Sequence, residues 1–166
     1  MNEDILKWVN DIINLGYFGY DDYGSYGLTG YYDREIKNNY AEKQLFNQEL
    51  KNSENKAEFL IDFSIDFAQR HLDELLDAVK KASSTEEVPA DAVLIAAAAE
   101  VYKTIHQDLT KDNAVFYADD YADLEEDNNS WDKAYNRYLK DNNMSIHTCI
   151  NRVANTYLQK VNTKML

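Results

Sequence analysis

The chain has 166 residues, with 30 Asp and Glu against 17 Lys and Arg, a formal net charge of −13 at pH 7. This acidity disfavours direct nucleic-acid binding, which needs clustered Lys and Arg to neutralise phosphates, and it disfavours anionic membrane surfaces likewise. Leu, Ile, Val and Phe make up about 23% of the chain, above the roughly 20% level below which a highly charged chain stays disordered, and the length suits one domain with a real core.

All five glycines lie between Gly16 and Gly30, and the one proline is Pro89. Elsewhere almost nothing breaks a helix. The expected fold is all-α: a single-domain bundle over residues 1–166, of about six or seven helices, with a Tyr/Gly-rich loop near the N-terminus.

Ile5, Trp8, Val9, Ile12 and Ile13 follow helical spacing in the first element, which Asn2 can cap and Gly16 can end. In residues 16–32, Tyr17, Tyr20, Tyr23 and Tyr26 recur every third position among the glycines. That period suits neither a strand nor a helix and predicts a structured loop, with a short hairpin as an option. Asp33 can cap a second helix to about Leu50, with Ile36, Tyr40 and Phe46 inward. Ser53 can cap a third, to about Ala82, with Phe59, Leu60, Phe63, Phe67, Leu72, Leu75, Leu76 and Val79 mostly on one stripe.

Residues 83–89 read as a linker, and Pro89 suits the first turn of the next helix, where its missing N–H is not needed. Ala90 to about Asp108 is apolar on more than one face through Val93–Ala99, the pattern of a helix in the middle of a domain. A helix from Asn113 to about Glu126 follows. A shorter one, capped by Ser130, carries Trp131, Tyr135, Tyr138 and Leu139. The last starts after Ser145, with Ile146, Ile150, Val153, Tyr157, Leu158 and Val161 in an amphipathic pattern.

Catalytic and metal chemistry finds little support. Cys149 is the single cysteine and reads as a small buried hydrophobe; His147, two residues before it, points elsewhere on a helix. His71, His106 and His147 form no Glu-x-x-His or His-Glu-x-x-His motif, so neither metal nor cofactor is expected. The glycine cluster has no Lys or Arg between Lys7 and Arg34, and Asp21 and Asp22 there would repel phosphate. Asp62 and Asp66, four apart among phenylalanines, are expected to face solvent. No spacing brings titratable groups together, and the chain is not read as an enzyme. The N-terminus has no long apolar run, and Ala92–Ala99 is far too short to span a bilayer. The expected location is cytoplasmic.

The strongest feature is an acidic window. Asp112, Asp119, Asp120, Asp123, Glu125, Glu126, Asp127 and Asp132 follow one another with no Lys or Arg between them. Tyr117 and Tyr121, four apart, share one side of the expected helix. Such a window is either a solvated face that keeps the protein soluble or a surface complementary to a basic protein, with tyrosines as desolvated anchors. Tyr20, Asp21, Asp22 and Tyr23 add a second candidate contact in the glycine loop, whose composition is that of adaptable binding loops.

The segments Ile61-Asp-Phe-Ser-Ile-Asp-Phe-Ala68, Leu72-Asp-Glu-Leu-Leu-Asp-Ala-Val79 and Ala92 to Tyr102 resemble a family of small acidic bacterial proteins of unknown function, over about a third of the chain. Members look like accessory or toxin-neutralising proteins, and the resemblance carries over no catalytic residue. Size, acidity and helicity are also similar to those of immunity proteins and of bacterial and phage DNA-mimic proteins. The expected function is therefore that of an immunity- or antitoxin-type inhibitor that occludes a basic partner such as a nuclease toxin. The alternative is a DNA mimic that occupies a DNA-binding protein's groove. An unpaired amphipathic face or the tyrosine loop could also support a homodimer.

Overall fold

The computed structural model describes residues 3–16, 28–121, 136 and 144–165, with backbone alone for Thr29, 110–121 and 163–165. Its elements are helical, and no strand occurs among the described residues. The chain divides into two compact units, Met1–Tyr102 with Ile146–Leu166, and Lys103–Ser145.

Helix α1 (Glu3–Asn14) buries Val9 and Ile12. Gly16 ends it at φ +75°, where the N–H groups of Leu15 and Gly16 reach Ile12 O and Ile13 O at 3.1 and 3.0 Å. A left-handed glycine after the last turn satisfies otherwise orphaned carbonyls.

The end of the expected loop is helical instead. Helix α2 (Leu28–Tyr32) runs into a π-helical turn, Asp33–Lys37, which the Asn38 N–H closes on Asp33 O at 2.8 Å. Leu28 and Tyr32, four apart, are only 0% and 5% exposed. Their burial outweighs the helix cost of Gly30, about 1 kcal/mol. Asp33 therefore lies inside a helical turn and is not the cap of the next helix. The next helix, α3 (Tyr40–Asn52), starts later than expected because Asn39 caps it, its Oδ1 accepting the Glu42 N–H at 3.3 Å. Ile36 and Phe46 are buried as expected, but Tyr40 is 78% exposed rather than inward.

Asn55, not Ser53, caps α4 (Lys56–Arg70). Its Oδ1 accepts the Glu58 N–H at 3.1 Å, while Ser53 Oγ donates to Asn55 O at 3.1 Å. The expected single helix to Ala82 is two helices. His71 leaves helical geometry at φ −111°, ψ 9°, between α4 and α5 (Leu72–Ser83). Its N–H turns to Ala68 O and its carbonyl takes the Leu75 N–H, both at 3.1 Å, so one residue ends one helix and opens the next. The break carries no Gly or Pro signal; the partners of the His71 ring, described below, account for it.

Pro89 stands just before α6 (Ala90–Tyr121), its carbonyl accepting from the Ala92 N–H at 3.1 Å. Residues Ala92–Ala99 are all buried, none more than 2% exposed, as expected for a central helix. The expected gap before Asn113 is absent, and helical backbone continues to Tyr121. Thr110-Lys111-Asp112 holds neither Gly nor Pro, so nothing there forces an end. The last helix, α7 (Ile146–Met165), buries Cys149, Ile150, Val153 and Ala154. Helix α4 packs against α3, α5 and α7. The expected helix after Ser130 lies outside the described residues, apart from Asn136, which is helical.

Candidate interaction site

The four-residue spacing of Phe59, Phe63, Phe67 and His71 builds a column of rings along α4. Successive centroids are 6.5, 6.2 and 5.0 Å apart. Phe46 of α3 meets Phe63 at 4.8 Å, and Tyr32 of α2 meets Phe67 edge-on at 6.1 Å and 83°. Each such pair contributes roughly 0.5–1.5 kcal/mol beyond the area it buries. The column thus fastens α2 and α3 to α4.

Two local irregularities meet at the column's end. Tyr31, just before the π turn, stacks on His71 at the helix break, with centroids 4.6 Å apart and planes 7° from parallel. The Tyr31 hydroxyl donates to Glu74 Oε2 at 2.9 Å, and the Arg34 guanidinium carbon lies 5.0 Å from the Tyr31 ring centroid. Acceptance by Glu74, then burial, then the Glu74 charge raise the Tyr31 pKa above 10.0. Glu35 Oε2 lies 3.6 Å from His71 Nε2, and the two side chains are 43% and 13% exposed. Arg70 Cζ stands 5.0 Å from the Phe67 ring centroid, a cation–π contact. Beside this corner, Glu35, Ile36, Asn39, Glu42 and Arg70 line a concavity of about 260 Å³.

In the sequence, Ile36 and Phe67 stand out only as apolar positions and His71 only as a histidine outside any metal motif, and no pattern joins Tyr31, Glu35, Asn39, Glu42 and Arg70 to them. One signal was available: the Phe spacing of four runs on to His71. Backbone irregularity at a π turn is common at functional sites, and polar groups from three elements meet here.

Tyr117, Asp119, Asp120 and Tyr121 fall in the last turns of α6, where only the backbone is described. Asp123, Glu125, Glu126 and Asp127, and Tyr20, Asp21, Asp22 and Tyr23, lie outside the described residues. Cys149 is fully buried, in keeping with its reading as a small hydrophobe. Asp66 is exposed as expected, whereas Asp62 is one-third exposed and pairs with Lys160 of α7. That pair, with the Tyr157 hydroxyl donating to Asp91 Oδ1 at 2.6 Å, ties α7 to α4 and α6. Burial and the Asp91 hydrogen bond push the Tyr157 pKa up to about 12.

Among the described residues, no group of three or more His, Cys, Asp and Glu is placed to hold a metal ion, and no helix is long and apolar enough to cross a membrane. No protein-family model, curated protein or solved structure matches the chain.

Proposed function

We propose that the protein is a cytoplasmic, non-enzymatic binding protein that neutralises a basic protein partner, as an immunity- or antitoxin-type inhibitor occluding a nuclease toxin would. The carrying observation is the window Asp112–Asp132, in which eight acids stand without an intervening Lys or Arg. Charge concentrated in this way accelerates encounter with a basic surface and repels acidic ones. Helical backbone through Tyr121 supports the reading, because groups carried on a helix are more preorganised than groups on a free chain. Tyr117 and Tyr121 are the proposed packed anchors, with Tyr20 and Tyr23 of the glycine loop as a second contact.

The test is capture of partners from the source cell at low and at moderate salt, followed by their identification. The expected result is a basic protein retained at low salt and released as salt screens the pairing. A captured nuclease supports inhibition, whereas a captured DNA-binding regulator that duplex displaces would assign DNA mimicry instead. Retention of nothing basic at low salt would contradict both.

A further inference from the structure

The concavity beside the Tyr31–His71 corner carries polar capacity that the fold leaves unused. Glu42 makes no side-chain hydrogen bond or ion pair with a described residue, and its backbone N–H donates to Asn39 Oδ1. Glu35 is 43% exposed and faces His71 Nε2 at 3.6 Å, beyond hydrogen-bond length. Arg70 has the Phe67 ring as its partner and forms no ion pair with a described carboxylate. Asn39 commits its Oδ1 to α3, which leaves its amide N–H donors. The space of about 260 Å³ matches roughly nine waters of liquid, enough for one long side chain.

We infer that this concavity receives an arginine side chain of the basic partner. Glu35 and Glu42 pair with its guanidinium, while Arg70 and the Asn39 amide donate to backbone carbonyls on either side of it. The planar guanidinium presents a fork of donors that fits carboxylates and is weakly hydrated, so it enters a polar recess at less desolvation cost than an ammonium. A simple anion is disfavoured, since it would meet two carboxylates around one arginine. The inference rests on the basic partner proposed above but uses residues outside the Asp112–Asp132 window.

Residue-resolved NMR titration tests it, with acetyl-Gly-Arg-Gly-amide as the probe. The same tripeptide with neutral citrulline and one with glutamate in place of arginine are the controls. The expected result is saturable shifts at the amides of Glu35, Asn39 and Glu42 with the arginine peptide alone. Affinity should fall about tenfold in E35Q/E42Q with an unchanged circular dichroism spectrum. Absence of a saturable shift there, an equal response to citrulline, or a response to the glutamate peptide alone would overturn the inference. Shifts confined to Asp112–Asp132 would overturn it while leaving the proposed function standing. Binding at the concavity without capture of any basic protein would leave a guanidinium-binding recess standing and contradict the proposed basic partner.

Discussion

Tyr31 lies flat on His71, their ring centroids 4.6 Å apart, and this contact joins the π turn after α2 to the break between α4 and α5. Two backbone irregularities that would each be unfavourable alone support one another through one stacked pair. The stack predicts that His71→Ala costs about 1–2 kcal/mol in urea unfolding. Tyr31→Phe, which keeps the ring and loses only the exposed bond to Glu74, should cost no more than about 1 kcal/mol. Equal losses would mean that the hydrogen bond, not the stack, holds the corner.

Phe67 is 0% exposed and central in the ring column, whereas Phe59 is half-buried at its far end. Phe67→Ala should cost about 3–5 kcal/mol and Phe59→Ala distinctly less. Thermal or urea unfolding of the two variants gives the order, and a reversed order would contradict the column as the element that fastens α2 and α3.

The α4 cap offers a sharp comparison. Asn55→Ala should cost about 1 kcal/mol, since it removes the acceptor of the Glu58 N–H. Ser53→Ala loses one exposed hydroxyl bond and should change stability by less than about 0.5 kcal/mol. Denaturant midpoints of the two variants separate these outcomes, and a larger loss at Ser53 would restore it as the cap.

Tyr157 makes a prediction at alkaline pH. Its pKa is raised from 10.0 to about 12 in the folded protein, so between those values the unfolded chain releases the proton and the folded one keeps it. Stability from this group is complete below pH 10 and is lost as pH rises through 12. The stability advantage of the wild type over Tyr157→Phe should therefore shrink across that window, while the other tyrosines cancel in the comparison. An advantage independent of pH would contradict the hydrogen bond to Asp91.

Continuity of α6 is tested by Lys111→Pro. Proline in a helix interior costs about 3 kcal/mol and removes a backbone bond. The variant should lose helical circular dichroism and stability. Tolerance of the proline would place a helix end near Leu109, where the apolar pattern alone suggests one.

The all-α class, the Gly16 terminus, the buried alanine segment of α6 and the last helix were legible in the sequence, because each rests on periodicity or on a residue with a strong backbone preference. What periodicity could not show was set by tertiary contact. His71 breaks a helix with no Gly or Pro nearby, since its partners are Tyr31, forty positions earlier in the chain, and Phe67. Leu28 and Tyr32 draw a glycine-rich segment into a helix by being buried together. Asn39 and Asn55 supply caps that Asp33 and Ser53 could equally have supplied by residue type. The corner concavity was illegible for the same reason: its residues come from the π turn, α3 and α4, and no short motif links them.

The central claim, that the acidic window steers a basic partner, is tested most directly by the association rate with the captured protein. The variant D119N/D120N/D123N/E125Q/E126Q should associate about tenfold or more slowly than the wild type at low salt, and the difference should close as salt rises. An association rate unchanged by these five substitutions at low salt would contradict the account and move the interface away from Asp112–Asp132.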